Sequence, residues 1–106
     1  MRDGYILINT TRSFDELGIG EFVSGFNAAR RCTVPATELA LKHVGRPVPN
    51  AALLGGFAAV SGRISLDSVA AAIRDTFSGK LADGNVAAAS EAFGHVRDEL
   101  REAGHA

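Results

Sequence analysis

Charge of one sign, thiols and long apolar runs are all scarce in this chain, and each scarcity closes off a class of function. Eleven Lys and Arg stand against twelve Asp and Glu, so there is no basic surface of the kind that neutralises nucleic-acid phosphates, and DNA or RNA is not an expected partner. Cys32 is the only cysteine, which rules out an internal disulfide, a Cys-x-x-Cys redox pair and a four-thiolate cluster within the chain. Its simplest reading is a buried small apolar residue. His43, His95 and His105 lack metal-ligand spacing and read as surface or helix-end residues; no metal site is expected. No run reaches the roughly 20 apolar residues of a membrane span, and only about four strongly apolar residues follow Met1-Arg2-Asp3-Gly4, too few for a signal peptide. The expectation is a cytoplasmic chain with no membrane partner. Tandem repeats and low-complexity blocks are absent, and 106 residues make a single domain, 1–106, that is short for a complete doubly wound α/β fold.

What is present is organised around an uncharged stretch. Between Arg46 and Arg63 no charge occurs, and Pro49, Asn50 and Gly62 supply start and stop signals for a helix. That helix is apolar all round, which predicts burial on every side. Ala51, Ala52, Gly55, Gly56, Ala58 and Ala59 keep it thin, so neighbouring backbones can approach closely.

Before this stretch, Tyr5-Ile6-Leu7-Ile8 is a short apolar run rich in β-formers, suited to a central parallel strand covered on both faces. Ser13 and Glu16 fit a capping box. Gly18 and Gly20 leave open one helix with a loose start, or a turn followed by a helix over Glu21 to Phe26. Arg31-Cys32-Thr33-Val34 reads as a second strand, stopped by Pro35, which opens a helix over Ala36 to Val44 with Gly45 as its terminator. Two strands, each followed by a helix, argue for an α/β layer. Beyond Gly62, Ser65 caps a helix with Leu66, Val69, Ala70, Ile73 and Phe77 on one stripe, and Ser78-Gly79-Lys80 ends it. In the last segment Val86, Ala89, Phe93, Val96, Leu100 and Ala103 form a seam, with Arg97-Asp98-Glu99 and Arg101-Glu102 as the solvated face.

Four segments occur in a recognisable order and spacing: Tyr5-Ile6-Leu7-Ile8-Asn9, Val34-Pro35-Ala36-Thr37-Glu38-Leu39-Ala40, Asn50 to Gly56 with Pro49 before it, and Ile64-Ser65-Leu66-Asp67-Ser68-Val69. Together they resemble the carboxyl-terminal half of the gamma subunit, or gamma domain, of 2-oxoacid:ferredoxin oxidoreductases, the pyruvate/ketoisovalerate oxidoreductase family. The resemblance implies an α/β, Rossmann-like partial parallel sheet with a helical carboxyl-terminal half. Family members normally open with a strand and a Gly-x-Gly-Gly-x-Gly turn that this chain lacks, so about half of the expected sheet is missing or supplied by another chain. It further implies a subunit of an enzyme that oxidatively decarboxylates a 2-oxoacid to an acyl-coenzyme A. Alpha, beta and ferredoxin-like delta subunits would carry the thiamine diphosphate and iron–sulfur clusters, with ferredoxin as electron acceptor. This chain would bind no cofactor alone and hold no catalytic residue.

Two other classes compete with that reading. A stand-alone nucleotide-binding α/β module would use helix amino-termini for phosphates, but no glycine-rich loop supports it. A structural interaction protein would use the small-residue helix and the carboxyl-terminal seam. Site residues are expected at Thr37, Glu38 and Asn50, where polar groups near a strand end and two helix starts face coenzyme A or substrate at a partner interface. Helix capping by Thr37 and Asn50, with Glu38 complementing the helix dipole, explains the same residues without a ligand.

Overall fold

β1 (Ile6–Asn9) and β2 (Arg31–Val34) pair in parallel with Ile6 opposite Arg31 and Asn9 opposite Val34. The ladder runs one bond further, as Thr10 N–H donates to the Val34 carbonyl at 2.9 Å. In the computed structural model, which describes residues 5–13, 16–24, 30–46 and 49–105, α1 (Gly20–Val23) lies between these strands in sequence. α2 (Ala36–His43), α3 (Asn50–Ser61), α4 (Leu66–Thr76) and α5 (Gly79–His105) follow. This is the α/β arrangement expected, with the helical share concentrated in the carboxyl-terminal half.

β2 shows the period of two that a half-covered strand requires: Cys32 and Val34 are fully buried, while Arg31 and Thr33 are only partly so. β1 departs from expectation. Its Ile6, Leu7 and Ile8 are half-buried, because β1 pairs with β2 on one side alone among the described residues. The apolar run reads as a central strand, yet in this chain it lies at an edge.

Local signals govern the turns. Ser13 Oγ accepts from Glu16 N–H at 3.2 Å and Glu16 Oε1 accepts from Ser13 N–H at 3.1 Å, completing the capping box. A turn then leads to a separate short helix, α1; Phe26 and the rest of 25–29 lie outside the described residues. Gly45 (φ +85°) and Gly62 (φ +65°) adopt the left-handed conformation that ends α2 and α3. Ser65 Oγ accepts from Ser68 N–H at 3.0 Å and caps α4. Pro35 precedes α2 in the cap position instead of occupying its first helical residue.

α3 and α5 form the axis of the molecule and pack more extensively than any other pair of elements. One core cluster joins Cys32, Val34, Ala36 and Leu39 to Ala52 and Val60 of α3 and to Ala88, Ala92 and Val96 of α5. The second joins Ala58 of α3 and Ala89 of α5 to Val69 and Ile73 of α4. Gly55 makes the approach possible: a Cβ there would collide with the Ala89 carbonyl. Gly84 is used the same way against the His43 carbonyl.

Two helix expectations need correction. α3 is not covered on every side, since Leu54 and Phe57 are each 38% exposed; the sheet, α2, α4 and α5 occupy its other faces. Ser78-Gly79-Lys80 is mostly a beginning: Gly79 (φ +58°) opens the 27-residue α5, about 40 Å long at ~1.5 Å per residue. α5 buries more than a narrow seam, adding Ala82, Asn85, Ala88 and Ala92 to Ala89 and Val96, because neighbours press on it from several directions. The Ala103 side chain lies outside the described residues. Among the described residues no helix is long and apolar enough to cross a membrane.

Candidate functional site

Two surface cavities, one at each end of α2, gather most of the polar groups with a possible functional role. The first lies at the carboxyl ends of the strands, where open α/β sheets commonly receive ligands and partners. Pro35 in the cap position of α2 has no side-chain acceptor, so the helix start is secured from the neighbouring strand. Asn9 Nδ2 donates to Thr37 Oγ1 at 2.8 Å, and Thr37 N–H donates to Asn9 Oδ1 at 3.2 Å. This reciprocal pair ties the end of β1 to the first turn of α2. Glu38, next along, is exposed and lines a cavity of about 560 Å³ with Thr10, Thr33, His95 and Glu99.

That cavity is acidic. Glu16, Glu38, Asp98, Glu99 and Glu102 line it, against Arg12 and His95. Glu99 belongs to the apparently solvated face of the last segment in sequence, but the structure turns it inward. Its Oε2 accepts from Thr33 N–H at 3.1 Å, and its Oε1 lies 3.3 Å from the same nitrogen and accepts from Thr33 Oγ1 at 3.4 Å. Thr33 N–H points away from β1, so Glu99 closes the outer edge of β2. Desolvation pushes its carboxyl above the ordinary range, against the Thr33 hydrogen bonds and the nearby His95. The only sequence signal was its place beside the Val96 and Leu100 seam. Behind it Cys32 is fully buried, with a thiol pushed up to about 12 by burial and then by Glu99. Such a thiol is a core residue and does not suit metal ligation, which needs the thiolate.

The second cavity, about 440 Å³, lies beyond the other end of α2 and is walled by Val44, Leu54, Ile73, Phe77 and Leu81, with Arg46, Asn50, Thr76 and Asn85 as its polar members. Asn50 therefore does not share a cavity with Glu38. Eight residues of helix carry the chain about 12 Å back from the strand ends before α3 begins. Thr37 and Glu38 are brought together at one rim, and Asn50 stands apart. Asn50 opens α3 behind Pro49, and no side chain caps that helix.

A two-stranded parallel sheet with helices behind it, a polar rim at its strand ends and a buried thiol define an α/β domain. By sequence the chain belongs to the pyruvate ferredoxin/flavodoxin oxidoreductase family, whose model matches residues 1–94. It is similar to pyruvate synthase subunit PorC of Methanothermobacter marburgensis, 41% identical over 86% of this chain and 46% of that one. The pyruvate/ketoisovalerate oxidoreductases common subunit gamma of Pyrococcus abyssi is 40% identical over 86% of this chain and 48% of its own. Among solved structures it resembles pyruvate oxidoreductase subunit PORC of Thermotoga maritima, with a TM-score of 0.71 and 31% identity over 89% of this chain and 51% of that chain. The chain thus spans about half the length of the curated relatives it matches.

Proposed function

We propose that this chain serves as a gamma-subunit component of a 2-oxoacid:ferredoxin oxidoreductase, in an assembly that oxidatively decarboxylates a 2-oxoacid to an acyl-coenzyme A. The observation that carries the reading is the family match over residues 1–94, reinforced by identities near 40% to relatives named as PorC or gamma subunits. Residues 1–106 act as one unit, equivalent to the carboxyl-terminal half of the family domain, and work in the cytoplasm with alpha, beta and ferredoxin-like delta chains. The iron–sulfur clusters belong to those partners, because a single buried cysteine cannot supply cluster thiolates, and thiamine diphosphate is assigned to them with the clusters. Ferredoxin takes the electrons. This chain's contribution is to shape and flank the active site.

Within that role Thr37 and Glu38 form the rim presented to partner chains at the strand ends, and Asn50 faces the anionic groups of coenzyme A or substrate at the uncapped start of α3. Asn50→Ala and Thr37→Val, made in the assembled enzyme, test the assignment. The expected result is a several-fold rise in the KM for coenzyme A or 2-oxoacid, on the scale of ~1 kcal/mol per lost hydrogen bond, with the complex intact. A lowered Tm with unaltered kinetics would leave Thr37 as the partner of Asn9 at the start of α2 and Asn50 as the first residue of α3, both with a structural role alone.

A further inference from the structure

We propose that the outer edge of β1 is a docking site for a parallel β-strand from outside residues 1–106, supplied by the part of the family domain that this chain does not cover. Resting on the gamma-subunit reading, it deepens that reading by naming the surface through which this chain joins the rest of the domain.

The main chain specifies a strand as the occupant. Thr10 N–H donates to the Val34 carbonyl, with Leu7 opposite Cys32 and Asn9 opposite Val34, so the period of two turns the amides and carbonyls of Leu7 and Asn9 away from β2. They have no partner on that side among the described residues. The two edges of the sheet differ. Glu99 accepts from Thr33 N–H and closes β2, whereas Ile6-Leu7-Ile8 carries none of the charge or proline that ordinarily blunts an exposed edge. An added strand meets both sets of backbone groups at their own spacing.

Side chains fix its direction and character. Tyr5 and Leu7 pack against the core that includes α3, while Ile6 and Ile8, on the opposite face, belong to neither core cluster and are only half-buried. An apolar run that does not alternate with polar residues suits a parallel strand covered on both faces. A second copy bound β1 to β1 across a two-fold axis would pair antiparallel instead. Phe57 extends the same flank: its ring meets Tyr5 edge-on with centroids 6.3 Å apart, it is 38% exposed, and α3 bears no charge. The incoming strand therefore bonds Leu7 and Asn9 through its backbone and sets apolar side chains against Phe57. This chain matches 46% of the Methanothermobacter marburgensis subunit and 48% of the Pyrococcus abyssi one, which leaves a comparable length of the family's polypeptide to provide that strand.

The experiment follows amide hydrogen exchange residue by residue in the intact chain, alone and with one probe. The probe is the portion of pyruvate synthase subunit PorC of Methanothermobacter marburgensis that lies outside its match to this chain, prepared as a separate polypeptide. In the chain alone Ile8 and Thr10, bonded to β2, should be protected, and Leu7 and Asn9 should exchange freely at every concentration. The probe should slow exchange at Leu7 and Asn9 saturably, by about tenfold or more. Phe57→Glu, a change at a partly exposed position, should weaken the probe's binding by about tenfold, with Ile8 and Thr10 still protected as the sign that the strands remain paired. Protection of Leu7 and Asn9 that rises with the concentration of the chain alone would assign the edge to a second copy. That result, no protection with the probe, protection confined to other surfaces, or binding undiminished by Phe57→Glu would overturn the proposal. Because no turnover is measured, such a failure would leave the gamma-subunit reading standing; that reading falls separately, if no partner subunits and no activity accompany the chain in its native host.

Discussion

Glu99 shows how one residue can carry information that its sequence position conceals. A run of charges beside an apolar seam reads as solvated helix surface, yet the carboxylate is half-buried and closes the outer edge of β2 through Thr33. Held above its ordinary value of 4.5 chiefly by desolvation, Glu99 binds its proton more tightly in the folded chain than in the unfolded one. Its favourable contribution is complete below 4.5 and is lost as pH rises through the folded value. Glu91 is the opposite case. Lys42 and His43, both 2.8 Å from its Oε1, hold it below 4.5, so its contribution is present above 4.5 and lost as pH falls. Glu99→Gln keeps an acceptor for Thr33 N–H and removes the ionisation. Urea unfolding from about pH 4 to about pH 8 should show the variant gaining stability over the parent as pH rises. Parallel curves would contradict the account. Cys32, by contrast, was legible from composition alone, because a lone thiol in an apolar strand has little else to do than fill the core.

Among the elements, α3 was the most legible and also the most instructive where it diverged. An uncharged run bounded by Pro49 and Gly62 can scarcely be anything but a helix, and its small residues announced close packing. Which glycine mattered could not be read from the sequence, since that depends on which face meets α5. A Cβ on Gly55 would fall on the Ala89 backbone, whereas one on Gly56 would meet the side chains of Leu7, Val96 and Val34 at 3.4–3.5 Å, ordinary van der Waals distances. Gly55→Ala should therefore destabilise the chain by ~1–3 kcal/mol through forced separation of α3 and α5. Gly56→Ala should cost far less, because the better helix propensity of Ala, worth up to ~1 kcal/mol, offsets a tight fit. Thermal midpoints of the two variants decide the matter, and equal losses would contradict the packing described. The junction at Gly79 was misread because a serine and a glycine mark helix ends and helix starts alike. The exposure of Leu54 and Phe57 was invisible for a different reason: composition says that a helix is apolar, not how many neighbours this chain has to cover it.

At the scale of the whole molecule, the strands and helices of an α/β layer were legible, and so was the family, because four segments kept their order and spacing. The gathering of site residues was less so. Thr37 and Glu38 meet at the strand ends, but the length of α2 sends Asn50 to a separate cavity, a consequence of three-dimensional path that spacing along the chain does not display. A sheet of two strands is small for independent stability, and the chain spans about half the length of its curated relatives. The proposed function places this chain inside a larger assembly. Affinity purification of the tagged chain from its native host, followed by assay of the eluate for pyruvate- and coenzyme A-dependent reduction of ferredoxin, tests that claim most directly. The account predicts co-elution with larger subunits carrying thiamine diphosphate and iron–sulfur clusters, and activity in the eluate. Recovery of the chain alone, with the 2-oxoacid-oxidising activity left in the unbound fraction, would contradict it.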